Sequence, residues 1–308
     1  MRRNRLRALL QDSRVGAVAL GVLAVVCVVA VIAALTRSGA DPESGRPPAA
    51  PVSAEVQRYV ALGDAYTAAP PAGRAGPGAG CMRSPINYPH LVAGALPDTE
   101  LEDRSCAGAT TRHLTDQQSA GVAPQLDALT AETDLVTLGI GALDFDLLPT
   151  LLTRCLEVRR LDPEGAPCRK ELDDGDDRLL ADLPKIRERV VAVVKAIRKR
   201  SPEAQVVLVG YPRIAPATGN CPAELPVADG DVRYLHRVGR ELAKALEKAA
   251  STTDVSYVDV FAASKGHDVC SDDPWVNAGS VDSSGTPPFH PLASEHRAVA
   301  DLVVDAAS

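Results

Sequence analysis

The stretch from Tyr59 to Pro70 reads YVALGDAYTAAP, an apolar run that ends at a Gly-Asp turn followed by small residues. A continuous apolar run is typical of a strand that is covered on both faces of a parallel sheet. In such sheets ligands bind beyond the carboxyl ends of the strands, so the residues after Gly63 lie where a site is expected. The first position past the turn is Ala65, whose methyl group has no reactive atom.

Further β-rich runs alternate with helical patterns along the rest of the chain. Apolar residues recur at a helical period between the runs, with acids at the start and bases at the end of the longest segment. This alternation predicts a three-layer α/β/α sandwich with a parallel sheet of about five strands. The predicted strands are Arg58–Gly63, a weak one around Leu101, Asp134–Ile140, Gln205–Tyr211 and Ser256–Phe261, and the predicted helices are Asp176–Arg200, Asp231–Ala250 and Ser294–Ala307.

The N-terminal region has a different composition from the rest of the chain. Val15–Leu35 contains no charged residue and is long enough to span a bilayer as a helix. Arginines precede it, which favours a cytoplasmic N-terminus. We therefore expect a cytoplasmic segment (1–14), a transmembrane anchor (15–35), a Pro/Gly/Ala-rich linker (36–56) and one extracytoplasmic domain (57–308). The alternative is a cleaved signal peptide and a secreted protein.

The charge of the chain is unevenly distributed. The 308 residues carry a net charge of −7, but residues 1–37 carry +5, so the remainder carries −12. A strongly acidic domain argues against a nucleic-acid partner and against general attraction to anionic lipid surfaces.

Six of the seven cysteines follow the apolar segment that contains Cys27. An even number in an oxidising compartment predicts three disulfides, although six cysteines allow 15 pairings. No two of the six have the C-x-x-C spacing typical of metal sites, so we expect neither a metal nor another cofactor.

Several segments resemble, in order, the conserved blocks of the SGNH (GDSL-type) hydrolases, and they are most similar to secreted actinobacterial esterases and lipases. The resemblance extends over nearly all of residues 57–305. The segments are ALGDAYTAAP at Ala61–Pro70, SCAGATT at Ser105–Thr111, VTLGIGALDF at Val136–Phe145 and PPFHPLASEHRAVA at Pro287–Ala300.

The resemblance implies a catalytic role for four positions, two of which have the wrong residue type. In this family a serine attacks the acyl carbonyl, a histidine accepts its proton, and an oxyanion hole stabilises the intermediate. The serine position is Ala65 and the histidine is His290. The oxyanion positions include Gly108, which matches the family, and Leu143, where the family has asparagine.

The resemblance also implies roles for neighbouring residues. Many members orient the histidine with an aspartate three residues before it, but that position is Pro287 here. A backbone carbonyl near Trp275 is the expected substitute. Asp64 and Asp144 match conserved acids and are expected to cap a helix or to connect loops. The implied disulfides are Cys81–Cys106, Cys155–Cys168 and Cys221–Cys270.

These features predict a membrane-anchored, extracytoplasmic family member that has lost serine catalysis and keeps a cleft for an acyl ester, a lipid or an acylated glycan. The alternative is an active ester hydrolase that uses another nucleophile or water activated by His290. Thr67 and Ser84 are the candidate substitute nucleophiles, although the Thr67 hydroxyl is expected to cap its helix turn.

Overall fold

Five short strands form a parallel sheet at the centre of the domain. The computed structural model describes residues 56–70, 80–173, 175, 177–280, 283 and 285–308. The strand order is β2-β1-β3-β4-β5, and every neighbouring pair is parallel. The predicted sheet is confirmed, including the weak strand around Leu101. The strands are β1 (Arg58–Gly63), β2 (Glu100–Asp103), β3 (Leu135–Gly139), β4 (Gln205–Val209) and β5 (Ser256–Val258).

Apolar side chains of the strands alternate between the two faces of the sheet. In β1, Val60 and Leu62 join one core cluster, whereas Tyr59 and Ala61 join a second. All four residues are fully buried. Both faces are therefore covered, which explains why the strands read as continuous apolar runs in the sequence.

Helices pack on both faces. On one face α2 (Tyr88–Ala95) and α8 (Ala293–Ala307) share a cluster through Val92 and Val299. On the other face α5 (Arg178–Arg200) and α6 (Asp229–Thr253) contribute Val190 and Leu242 to the cluster that contains Val60. The α-helices are α1 (Ala65–Ala68), α2 (Tyr88–Ala95), α3 (Leu147–Val158), α4 (Pro167–Leu172), α5 (Arg178–Arg200), α6 (Asp229–Thr253), α7 (Val260–Ala263) and α8 (Ala293–Ala307), and 3₁₀ helices cover Thr111–Leu114, Gln125–Ala128 and Asp144–Asp146.

The predicted N-terminal segments, 1–14, 15–35 and nearly all of the linker 36–56, lie outside the described residues. Among the helices that the structure does describe, none has both the length and the apolar character needed to cross a bilayer. The domain boundary near residue 57 remains a prediction.

Three disulfides connect segments around the sheet, with the pairings that the resemblance implied, and the second of them joins α3 to α4. Cys81 is bonded to Cys106, Cys155 to Cys168, and Cys221 to Cys270. The third bond joins the loop after β4 to the segment that leads toward His290, across 49 residues of sequence.

The start of α8 buries a glutamate beside a histidine. Glu295 and His296 expose 3% and 2% of their surfaces, and Glu295 Oε2 lies 3.5 Å from His296 Nδ1. The Tyr88 amide donates to that same Nδ1 at 3.3 Å, so this nitrogen carries a lone pair. Burial lowers the pKa of His296 to about 4 and raises the pKa of Glu295 well above its usual range. Both side chains are therefore favoured in their neutral forms.

We expect Glu295→Gln to raise the free energy of unfolding by about 1–3 kcal/mol at mildly alkaline pH. In the unfolded chain this carboxyl ionises above about pH 4.3, whereas the folded protein resists its ionisation. As the pH rises above about 4.3, the wild-type protein therefore loses folding stability, and the variant does not. Urea unfolding over a pH series measures the difference, with Glu203→Gln, an exposed loop residue, as the control. A gain that stays equally large near pH 4 would contradict this assignment.

Candidate functional site

A cleft of about 650 Å³ opens beyond the carboxyl ends of β1 and β3, a volume typical of small-molecule sites. Its lining brings together four positions that are distant in sequence, namely Ala65, Gly108, Leu143 and His290. Most of the other lining side chains are apolar. These other lining residues are Tyr66, Pro70, Met82, Ala107, Leu148, Pro149, Leu152, Thr153, Pro287, Pro288 and Phe289.

Ala65 is the first residue of α1, directly after the turn that ends β1. Asp64 caps this helix, because its Oδ1 accepts a hydrogen bond from the Tyr66 amide at 2.9 Å. Its Oδ2 accepts from the Tyr211 hydroxyl at 2.6 Å, and burial raises the pKa of Asp64 to about 7. Among the described residues the Ala65 amide has no acceptor. The turn is intact around a residue that offers an amide and a methyl group but no nucleophile.

Gly108 lies in a turn with a φ of +78°, a conformation that favours glycine. The Cys81–Cys106 disulfide precedes the turn, and the Cys106 amide donates to the Gly63 carbonyl at 3.0 Å. This loop is thereby fixed to the end of β1. Within the part of the chain that the structure describes, the Gly108 amide also has no acceptor, so it is available to a ligand in the cleft.

Leu143 places an aliphatic side chain in the cleft, and the adjacent Asp144 is fully buried. Asp144 accepts from the Thr111 amide at 3.0 Å, from the Thr111 hydroxyl at 2.5 Å and from Arg189 Nη1 at 2.9 Å. The Arg189 guanidinium also lies 4.0 Å from the centre of the Phe145 ring. Asp144 therefore connects two loops of the site to α5, as predicted.

His290 is held in one tautomer by a backbone carbonyl. Its Nδ1 lies 2.9 Å from the Pro288 carbonyl oxygen. A carbonyl can only accept, so Nδ1 carries the proton and Nε2 carries the lone pair. Burial lowers the pKa of His290. A neutral imidazole with a free Nε2 is the form that acts as a general base.

The predicted orienting role of the Trp275 region is wrong. The Trp275 ring stacks on His267 at 4.6 Å between centroids, and its carbonyl accepts from the Leu292 amide at 2.8 Å. The oxygen that contacts His290 Nδ1 belongs instead to Pro288, two residues before His290. The Trp275 segment supports the backbone that follows His290.

Thr67 and Ser84, the candidate substitute nucleophiles, are not among the described residues that line the cleft. Thr67 is 1% exposed, and its Oγ1 lies 3.5 Å from the Tyr88 hydroxyl. A Cβ on Gly63 would fall 2.2 Å from that oxygen, so the threonine packs against the end of β1. The Ser84 hydroxyl accepts from the Ile86 amide at 3.3 Å. Both hydroxyls make local structural contacts, and Asp64 rather than Thr67 caps α1.

Tyr66 is a site residue that the sequence patterns did not single out. Its hydroxyl donates to the Phe289 carbonyl at 2.7 Å, and its ring stacks on His290 with 5.7 Å between centroids. Phe289 has a φ of +60°, a conformation that costs energy for a residue with a bulky side chain. Tyr66 therefore stabilises the strained backbone that positions His290.

Replacing Tyr66 with Phe is expected to lower the free energy of unfolding by about 1–2 kcal/mol, because the buried Phe289 carbonyl loses its donor. The His290 ring signals should shift or broaden in the NMR spectrum. Tyr257→Phe is the matched control, since Tyr257 also donates to a carbonyl, that of Ala243, from a part-buried position. Unchanged His290 signals in Tyr66→Phe would show that the tyrosine does not position the histidine.

The cleft offers little to a metal ion. His290 is the one imidazole among the described lining residues, which include no carboxylate or thiol. Across the described part of the chain, no group of three or more His, Cys, Asp or Glu side chains is arranged to hold a metal.

Comparison with known proteins agrees with this arrangement. A family model described as "GDSL-like Lipase/Acylhydrolase family" matches residues 61–298. Lipase 2 of Streptomyces coelicolor is 37% identical over 264 residues, covering 80% of this chain and 84% of that protein. A lipase of Streptomyces rimosus is 30% identical over 245 residues, covering 77% of this chain and 81% of that protein.

Solved structures share the same architecture. Phospholipase A1 from Streptomyces albidoflavus NA297 has a TM-score of 0.68 at 28% identity, covering 82% of this chain and 99% of that chain. The extracellular lipase from Streptomyces rimosus has a TM-score of 0.61 at 27% identity, covering 81% and 99%. The matched family range contains both Ala65 and His290.

Proposed function

This chain belongs to the GDSL-like lipase/acylhydrolase family, and from that premise we propose that it binds an acyl ester in its cleft without hydrolysing the ester by a serine mechanism. One observation carries the proposal: Ala65 stands at the nucleophile position in a cleft that also contains His290 and Gly108. The turn, the cap and the oriented histidine are all present around a residue that cannot attack a carbonyl.

The expected loss of rate is large. Removal of the serine nucleophile from a serine hydrolase lowers turnover by about 10⁶-fold. Removal of one side-chain donor from an oxyanion hole lowers it by about 10²–10³-fold. Leu143 has no donor for that hole, so the two departures from the family affect separate parts of the same chemistry. Either departure alone would leave the nucleophile or the oxyanion hole intact.

The lining of the cleft supports a ligand with an apolar acyl chain. Leu148, Leu152 and Met82 line the cleft together with prolines from three separate segments of the chain. Each Å² of apolar surface that leaves water on binding contributes about 25 cal/mol of favourable free energy, so these walls favour a hydrocarbon chain. The free amides of Ala65 and Gly108 are suited to the ester carbonyl oxygen. Lipids and acylated glycans both present this chemistry.

We further propose that an N-terminal anchor holds the domain on the outer side of the cytoplasmic membrane. The apolar segment 15–35 and the arginines before it support an anchor with a cytoplasmic N-terminus. The three disulfides of the folded domain support an oxidising compartment. Cleavage after the apolar segment would give a secreted form of the same domain.

Two measurements on the purified protein test the proposal. A fluorophosphonate serine probe should leave the cleft unlabelled, while the methyl ester of pyrene-labelled decanoate should bind. Leu152→Glu, which places a charge in the cleft, should abolish binding, and Leu161→Glu, at a residue that is 79% exposed, should not. Covalent labelling at Thr67 or Ser84, or equal binding by both variants, would overturn the proposal.

A second candidate function rests on the orientation of His290. Its Nε2 lone pair is free to take a proton from water, so slow direct hydrolysis of a bound ester is chemically feasible. Ester turnover that disappears in His290→Ala would favour this function over pure binding.

A further inference from the structure

A basic groove lies between α5 and α6, with a lining that does not include any residue of the acyl cleft. Its volume is about 520 Å³. Its charged lining comprises five cations and the single carboxylate of Glu241, a net charge of +4. The cations are Arg187, Arg237, Arg240, Lys244 and Lys248.

Four of these cations belong to a stripe along α6. The exposed side chains of Arg233, Arg237, Arg240, Lys244 and Lys248 follow at intervals of four, three, four and four residues. Such spacing places them on one face of the helix, over a length of about 22 Å. A neighbouring hollow shares Arg237 and is also lined by Arg233, which extends the positive surface beyond the groove. Its other charged lining residues are Glu164, Arg169 and Lys170, and the two cations pair with Asp173 at 3.6 Å and Asp162 at 3.0 Å.

Internal partners neutralise only part of the groove. Glu241 pairs with both Arg240, at 3.2 Å, and Lys244, at 3.0 Å. Glu188 lies 3.9 Å from Arg187. Among the described residues, no carboxylate lies within ion-pair distance of Arg237 or Lys248. The domain as a whole carries a net negative charge, whereas the lining of this groove carries a net positive charge. Net charge alone therefore misses the one-sided field of the groove.

The groove also has an apolar floor. Leu180, Leu183, Pro184 and Ala245 lie between the cations. Long cationic side chains around an apolar strip suit the boundary between lipid head groups and acyl chains, where the charges meet phosphates and the strip meets hydrocarbon. Among the described lining residues, no buried donor is placed to bind one particular anion, which favours a diffuse anionic surface over a single small ion.

We propose that the basic groove is a docking surface for an anionic phospholipid bilayer. The charge complementarity and the apolar floor identify the occupant as phospholipid with a net negative charge. The inference is independent of whether the cleft hydrolyses an ester, since none of the groove residues lines that cleft. Docking would bring one defined face of the domain to the lipid surface.

Lysine footprinting of the full chain on vesicles tests this surface. Lys244 and Lys248 report on the groove, and exposed Lys265 serves as an internal reference. On phosphatidylcholine vesicles that contain phosphatidylglycerol, acylation of the two groove lysines should be at least about fivefold slower than on pure phosphatidylcholine. Ionic strength near 1 M, where the Debye length is about 3 Å, should remove the protection.

Matched variants separate this surface from general charge. Arg237→Gln with Arg240→Gln keeps both reporter lysines and should weaken docking about 25-fold, at about fivefold per cation. Arg112→Gln with Arg297→Gln removes the same charge from elsewhere and should keep the protection. The N-terminal arginines are identical in every protein compared.

Three results would overturn the proposal. Equal reactivity of the groove lysines on both kinds of vesicle would exclude anionic lipid as the occupant. Equal loss of protection in the two double variants would reduce the effect to net charge. Protection by soluble polyphosphate but not by vesicles would identify a soluble polyanion as the occupant instead.

Discussion

Combining Ala65→Ser with Leu143→Asn is expected to produce an ester hydrolase from this protein. The serine hydroxyl would stand at the start of α1, in the cleft that His290 also lines, and the asparagine amide would supply the missing oxyanion donor. We expect Ala65→Ser alone to hydrolyse p-nitrophenyl esters weakly. The double variant should exceed it by about 10²–10³-fold in kcat. Release of p-nitrophenolate measures both proteins against the wild type.

Adding His290→Ala to the double variant is the control for the mechanism. It should lower kcat by about 10⁴-fold or more, because the serine then has no base. A fluorophosphonate probe should label the double variant at residue 65. If the double variant folds, binds the methyl ester of pyrene-labelled decanoate and still fails to hydrolyse esters, the site has diverged further than two substitutions, and the assignment of Leu143 to the oxyanion hole is wrong.

Asp144→Ala is expected to lower the free energy of unfolding by about 3 kcal/mol. The carboxylate is fully buried, and its loss leaves the Thr111 amide and hydroxyl without acceptors. The side chain of Arg189 is 47% exposed, so water compensates for part of its lost pairing and the cost stays below that of breaking a fully buried ion pair. Denaturant unfolding gives the value directly.

Asp182→Ala provides the matched control for this prediction. It removes an aspartate that pairs with exposed Lys185 at 2.8 Å on the same helix as Arg189, and it should cost less than about 1 kcal/mol. Asp144→Asn should fall between the two, since it retains the shape and one acceptor oxygen. Equal costs for Asp144→Ala and Asp182→Ala would show that Asp144 does not hold the loops together.

Much of the fold follows from patterns that are local in sequence. Continuous Val and Leu runs predicted β1, β3 and β4, because both faces of the sheet are covered. Helical periodicity predicted α5, α6 and α8. The short helix α1 and the leucine-rich α3 (Leu147–Val158) carry weaker signals, since four residues make barely more than one helical turn and Pro149 lowers the helix propensity of α3.

The site was predictable in its positions and not in its supporting contacts. Ala65, Gly108, Leu143 and His290 follow from the resemblance, and the structure brings them into one cleft. The carbonyl that orients His290 could not be predicted, because its position depends on the positive φ of Phe289. A phenylalanine in the sequence gives no indication of a positive φ, because bulky residues rarely adopt that conformation. The Tyr66 hydrogen bond depends on the same backbone.

The position of α8 on the sheet affects how the chain folds while it is being synthesised. This helix comprises the final stretch, Ala293–Ala307, and it covers the face of the sheet that contains Tyr59. β1 emerges from the ribosome well before α8, and until α8 is made this face is covered only in part, by α2. A stalled or truncated chain would therefore expose that face to chaperones and proteases.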